Sequence, residues 1–150
     1  MKLLFVCHGN ICRSPMAEFV MKELLRREGM EGVSVESAAM HTDELGHDIH
    51  RGTREKLRER GIPFSPRAAW LLTAERAHGY DLLIGMDAWN VADLKRLVYP
   101  DDRSKIRKLP EFAGRDGDIA DPWYTGDFDA TYDDVLVGCT GLLGWLKERA

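Results

Sequence analysis

Five residues, His8, Gly9, Asn10, Ile11 and Cys12, separate Cys7 from Arg13, and the run "FVCHGNICRSP" joins an apolar stretch to a proline. Pro15 has no N–H to donate and suits a helix only in its first turn, so the residues before it form a loop that enters a helix. Successive backbone N–H groups in such a loop turn inward as an anion-binding nest, reinforced by the helix N-terminus. Gly9 is expected to supply the backbone turn. Arg13 adds a planar donor for two oxygens, so the loop suits a tetrahedral oxyanion such as phosphate, with Cys7 beneath it. The same donors favour a thiolate, and Ser14 can add a hydroxyl bond to the sulfur. A thiolate under a bound phosphate is placed for in-line attack on phosphorus, giving a cysteinyl-phosphate whose oxygens stay held by the loop and Arg13.

The leaving oxygen then needs a proton. Asp121, in "IADPWYTGDFD", is the acid in the most suggestive setting. Pro122 stiffens the chain after it, and Trp123 and Tyr124 can flank a ring and lower the local dielectric around the carboxyl. Such a carboxyl can donate to the leaving group and then act as base for water in the second step.

These residues must be carried by regular elements. "KLLFVC" (2–7) is apolar on both faces, as a strand buried in a parallel sheet should be. Ser14 is expected to cap, and Pro15 to begin, a helix reaching about Glu28, with Glu18 near its positive end and Ala17, Val20, Met21, Leu24 and Leu25 at helical spacing. "GVSVESA" (32–38) alternates like a second strand, completing a βαβ unit with a right-handed crossover. Further along, "TREKLRER" (53–60) reads as a solvated helix, "YDLLIGM" (80–86) as a third strand, and "DAWNVADLKRLV" (87–98) as a helix capped by Asp87. "KIRKLPEF" (105–112) suits an edge strand because of Pro110, and a last helix over about 130–149 carries a stripe of Val135, Leu136, Cys139, Leu142, Leu143 and Leu146. Alternating strands and helices predict an α/β fold, a three-layer sandwich on a small four-stranded parallel sheet, with the phosphate-binding loop after the first strand. Ligands in such sheets bind beyond the carboxyl ends of strands, where residues 7–13 fall.

At 150 residues the chain fits one domain, 1–150, with a core large enough to need no staple. A formal charge of −4 gives no support for a nucleic-acid or anionic-membrane surface. The apolar run after Met1 is short for a signal segment, and no stretch approaches the ~18 apolar residues of a membrane span. Three cysteines make an odd number, unsuited to a secreted disulfide framework. The expectation is a cytoplasmic monomer without metal or cofactor. His47 and His50, near Asp43, Glu44 and Asp48, lack a second ligand pair at metal spacing and read as a solvated loop.

"VCHGNICRSPMAE", together with "DPWY" more than a hundred residues later, closely resembles the low-molecular-weight protein tyrosine phosphatase family. "VESAA", "YDLLIGMDAWN" and "DFDATYDDV" extend the resemblance in order over nearly the whole chain. A lone C-x5-R is weak; the extended loop with the distant DPWY is specific. The resemblance implies Cys7 as nucleophile, Arg13 as phosphate clamp, Ser14 as thiolate partner and Asp121 as general acid. It implies that Asn10 shapes the loop, with Ser37 as its partner. It also suggests that Cys12, near Cys7, captures an oxidised Cys7 as a reversible disulfide. The implied substrate is a phosphotyrosine protein or a small aryl phosphate, with phosphate and other oxyanions as inhibitors.

Three positions, Asp43, Pro66 and Ala69, depart from that pattern, and a fourth, Ile11, bears on the substrate. Asp43 stands where many relatives carry an aromatic wall, which should disfavour phosphopeptides with acidic flanks. Pro66 and Ala69 stand where relatives often have a histidine and an arginine, so the support of Asn10 should be arranged differently. Ile11 replaces the smaller threonine of relatives that act on phosphoarginine, and so fits a flat phenol ring. Besides a phosphoarginine phosphatase, two alternatives share the loop. A thiol-coupled arsenate reductase needs relay cysteines, and between Ser14 and Val137 there are none. A non-catalytic phosphate-binding module has no need of Cys7 and Asp121.

Overall fold

The computed structural model describes residues 1–150. Its sheet is built outward from β1 (Lys2–Cys7), which pairs in parallel with β2 (Ser34–Ala39) on one side and β3 (Leu82–Gly85) on the other. A three-residue strand β4 (Ile106–Lys108) forms the edge beside β3, giving the order β2-β1-β3-β4. Pro110 lies just beyond β4 in a 3-10 turn (Leu109–Ala113), so the edge strand ends before the residue that cannot donate to it.

The two-residue period of β1 sorts the core. Leu3, Phe5 and Cys7 belong to one apolar cluster and Leu4 and Val6 to the other. The first face is covered by α1 (Arg13–Arg27), through Met16, Ala17, Val20 and Met21. Leu57 of α2 (Arg51–Glu59) and Val135, Cys139, Leu142 and Leu146 of α6 (Phe128–Glu148) complete that layer. The second face receives Ala77 of α3 (Ala74–His78) and Leu94 of α4 (Ala88–Leu97). Helices on both faces of a parallel sheet make the expected three-layer α/β sandwich.

Several local expectations are corrected. The first helix starts at Arg13, with Cys12 in the cap position and no side-chain cap bond, so Ser14 lies inside the helix and does not cap it. Glu18 sits beyond the first turn, where its Oε1 accepts from the Ser37 hydroxyl at 2.6 Å. The "TREKLRER" helix is not simply solvated: Lys56 and Leu57 are buried, and Lys56 pairs with Asp129 and Glu59. The last helix begins at Phe128, earlier than its apolar stripe implies, because Asp127 accepts from the Ala130 N–H at 2.9 Å as its cap. The short α3, capped by Thr73, was hidden in a stretch with too few apolar positions to show a period. Asp87 caps α4 as predicted, accepting from the Asn90 N–H at 2.8 Å. No helix is long and apolar enough to cross a membrane.

Candidate active site

β1 delivers Cys7 to the carboxyl edge of the sheet, and the chain turns back at once into α1. The turn is made at Asn10, whose φ of 59° is the one left-handed non-glycine value in the chain. Gly9, expected to make this turn, lies instead in close quarters: a Cβ there would lie 3.2 Å from Glu44 Cγ, so that side chain would have to shift by a few tenths of an ångström. Asn10 tolerates the conformation because its side chain is tied down. Its Nδ2 donates to Ser14 Oγ at 2.8 Å and to Ser37 Oγ at 2.9 Å, and the Ser37 hydroxyl in turn donates to Glu18. Asn10 and Ser37 are both buried.

This chain of donors has a direction. Ser14 Oγ accepts from Asn10, which leaves its own proton free to point at Cys7 Sγ, 3.0 Å away. The Ser14 backbone N–H lies 3.4 Å from the same sulfur. An O–H and an N–H can thus both be aimed at this sulfur.

Arg13 is buried at the start of α1. Its Nη1 donates to Asp87 Oδ2 at 2.6 Å and to the Ile119 carbonyl at 2.9 Å, and its Nη2 lies 3.4 Å from Asp121 Oδ2. Burial opposes its charge, but the neighbouring Cys7, Asp87 and Asp121 outweigh that and hold it protonated above its ordinary range. Its Nε is buried without a partner. The guanidinium is thus oriented by two carboxylates, with its Nε–H and the second Nη2 N–H unspent.

Asp121 uses its two oxygens differently. Oδ1 accepts from the Trp123 N–H at 3.1 Å, capping the one-turn helix α5 (Pro122–Thr125), while Oδ2 faces Arg13. The turn-capping role and the site-facing role therefore coexist.

Cys7 and Cys12 line a pocket of about 190 Å³ together with His8, Gly9 and Ile11 of the loop. Asp121, Trp123 and Tyr124 line one part of its wall, and Asp43 and Glu44 another. Trp123 and Tyr124 are 56% and 83% exposed, at positions where packing alone gives aromatic rings no reason to be. Asp43 stands at the rim as expected and pairs with His8, whose ring stacks on His41 at 4.2 Å. Burial, then the nearby Cys7, pushes the Cys12 thiol up to about 12. Cys139 is sealed in the core, where burial raises it as well.

Four contributors escaped the sequence reading. Asp87 was legible only as a helix cap; its place at the end of β3, next to β1, is the signal that it could also reach Arg13. Arg67 donates to the Asn10 carbonyl and, at 3.3 Å, to the His47 carbonyl, so a guanidinium supports the loop although Ala69 has none. Glu44 lines the pocket and accepts from His47 at 2.6 Å. His50, taken for part of a solvated loop, is packed against Phe128 and Trp123. No group of three or more His, Cys, Asp or Glu side chains is gathered as a metal would require.

A cysteine and an arginine bracketing a tight loop at the end of the central parallel strand, with a carboxylate beside the arginine and lining the same pocket as the cysteine, are the arrangement of a cysteine-dependent phosphatase. Residues 2–150 match the model of the low molecular weight phosphotyrosine protein phosphatases, and the chain belongs to that family. It is 36% identical to the low molecular weight protein-tyrosine-phosphatase YfkJ of Bacillus subtilis, over 98% of this chain and 96% of the relative. The crystal structure of YfkJ superposes with a TM-score of 0.95 at 34% identity, covering 99% and 96% of the two chains. SP-PTP of Streptococcus pyogenes, a low molecular weight protein tyrosine phosphatase, is 40% identical with a TM-score of 0.87, covering 97% of this chain and 92% of its own. The Drosophila arginine phosphatase DARP shares the fold at 29% identity and a TM-score of 0.91, each chain 98% covered. The protein is thus a hydrolase acting on phosphotyrosine, and family membership does not favour the arsenate reductase, phosphoarginine or non-catalytic readings.

Proposed function

We propose that residues 1–150 act as one phosphatase domain in which Cys7 is the nucleophile, Arg13 the phosphate clamp and Asp121 the general acid. The carrying observation is the convergence on Cys7 Sγ of the Ser14 hydroxyl and backbone N–H, beside an Arg13 whose Nε is unspent. The Cys7 thiolate attacks phosphorus; the bond to the phenolic oxygen breaks, and Asp121 gives that oxygen its proton. Arg13 and the amides of residues 8–14 hold the three equatorial oxygens throughout. Asp121, now a carboxylate, takes a proton from water as the water attacks phosphorus, and the phosphorus–sulfur bond breaks to release phosphate and restore the thiolate.

Trp123 and Tyr124 flank the phenol ring, and Ile11 narrows the pocket to a flat group, which supports phosphotyrosine proteins or small aryl phosphates over phosphoarginine. His8, Gly9, Asn10 and Cys12 complete the phosphate loop, and Ser37 supports it. Phosphate and related oxyanions compete for the same donors. The working form is a cytoplasmic monomer that uses no metal or cofactor and binds neither nucleic acid nor membrane. Peroxide converts Cys7 to a sulfenic acid, and the Cys12 thiol displaces water from it to form a disulfide that added thiol reduces. The test is hydrolysis of an aryl phosphate by wild type, Cys7→Ser and Asp121→Asn. Cys7→Ser should abolish turnover and Asp121→Asn should lose roughly 10²- to 10⁴-fold, the scale of general acid–base catalysis. Equal rates in all three would end the reading.

A further inference from the structure

We infer that His50 is a positioning residue for the general acid: it braces Trp123 and so holds the Asp121 carboxyl over the phosphate loop. The inference rests on the proposed acid role of Asp121. His50 is fastened to the loop by its backbone N–H, which donates to the Ile11 carbonyl at 2.8 Å. Its Nδ1 accepts from the Gly52 N–H at 3.0 Å as the cap of α2, which puts the ring proton on Nε2 and fixes the ring plane. One face of that ring stacks on Phe128 at 5.3 Å and 17°. It also meets Trp123 edge-on, at 5.8 Å and 79°. Phe128 cannot retreat toward α2, because even a Cβ at Gly52 would overlap its ring.

Asp121 needs such a brace for a definite reason. The helix it caps, α5, has four residues, against the ~12–15 at which an isolated helix becomes even marginally stable. Trp123 is more than half exposed, so its own burial holds it weakly. Yet the Trp123 N–H is bound to Asp121 Oδ1, and the carboxyl moves with that residue. The bonds from Ile119 N–H to the Met86 carbonyl, at 2.9 Å, and from Thr131 Oγ1 to the Ala120 carbonyl, at 3.1 Å, anchor the chain before Asp121. The His50 ring supplies a contact after it, from an element attached to the loop that holds the phosphate. A displacement of about 1 Å is enough to cost a catalytic group much of its effect.

The consequence is specific to leaving groups. A poor leaving group depends on protonation and a good one does not, so a misplaced acid lowers kcat/KM selectively for the poor one. For His50→Ala, kcat/KM toward phenyl phosphate should fall roughly 10-fold, and toward 4-nitrophenyl phosphate by no more than about 3-fold. His50→Phe, which keeps a ring between Phe128 and Trp123, should recover most of the phenyl phosphate rate. Uniform loss with both substrates, or no loss, would overturn the inference. Should His50→Ala fail to fold, Phe128→Leu removes the support from the other side and must show the same selectivity or the inference falls. Asp121→Asn in the same series separates the two readings. If it lacks the leaving-group signature the acid assignment is wrong, and if it shows the signature while His50→Ala does not, the brace alone is wrong.

Discussion

Arg13 donates to Asp87 at 2.6 Å, with side-chain exposures of 3% and 15%, so the proposed phosphate clamp is held by a carboxylate from the neighbouring strand end. A charge-assisted bond between largely buried partners contributes about 1.5–3 kcal/mol, and its loss leaves the guanidinium held only by the Ile119 carbonyl and the longer contact to Asp121. Asp87→Ala should therefore lower kcat/KM for an aryl phosphate by roughly 10- to 100-fold. Asp87→Asn, which keeps an acceptor, should lose less. Steady-state kinetics and phosphate inhibition constants for the pair check this; equal, wild-type values would show that Arg13 orients itself without Asp87.

The three thiols should react unequally. Cys12 is pushed up to about 12 by burial, and Cys139 is raised by burial within the core. Alkylation with iodoacetamide at neutral pH, followed by peptide mapping, should therefore mark Cys7 first, and bound phosphate should protect it. Labelling of Cys139 before Cys7 would contradict the packing described.

Asp43, at the pocket rim beside His8, should act through its charge on the residues flanking a phosphotyrosine. Asp43→Asn should raise kcat/KM for phosphopeptides with acidic flanks by about 2- to 5-fold, an effect that shrinks as salt is added. A small aryl phosphate, which has no flanks, should respond less. A gain that does not depend on salt would mean that Asp43 acts by shape.

Away from the site, Asp102 is buried and paired with Lys105 at 2.8 Å and with His78 at 2.9 Å. Its bonds to Lys105 and then His78 hold its carboxyl below the usual range. A depressed carboxylate contributes stability that is fully present above its unfolded value of about 3.9 and is lost as pH falls through the folded value. Between pH 6 and pH 3 the melting temperature of Asp102→Asn should thus fall less steeply than that of wild type. Parallel curves would show that the pair is not coupled to folding.

The parts legible in the sequence are those whose signal is local. β1 announces itself because every residue after Lys2 is apolar, and α6 because its stripe runs for many turns. Cys7, Ser14 and Arg13 are neighbours along the chain, so their joint chemistry could be read before any fold was known. Asp121 lies far away in sequence, and only its DPWY context pointed to it. Local rules also mislead: the turn expected of Gly9 is made by Asn10 in the left-handed region, and Ser14, which faces Cys7 as its chemistry suggests, does not also cap the helix. Asp87, Arg67 and His50 were not legible because their roles arise from approaches between elements, at the β1–β3 strand ends, across the 67-to-10 crossing and against Phe128. Nothing beside Arg67 or His50 in the sequence records those partners; for Asp87 the one signal is its place just after a strand.

Covalent capture of the phosphoryl group tests the mechanism most directly. When wild-type protein turning over an aryl phosphate is quenched and digested, mass spectrometry should find one phosphoryl group on the peptide carrying Cys7. Cys7→Ser should show neither that adduct nor turnover. Turnover by Cys7→Ser, or a phosphoryl group found on another residue, would contradict the assignment of Cys7.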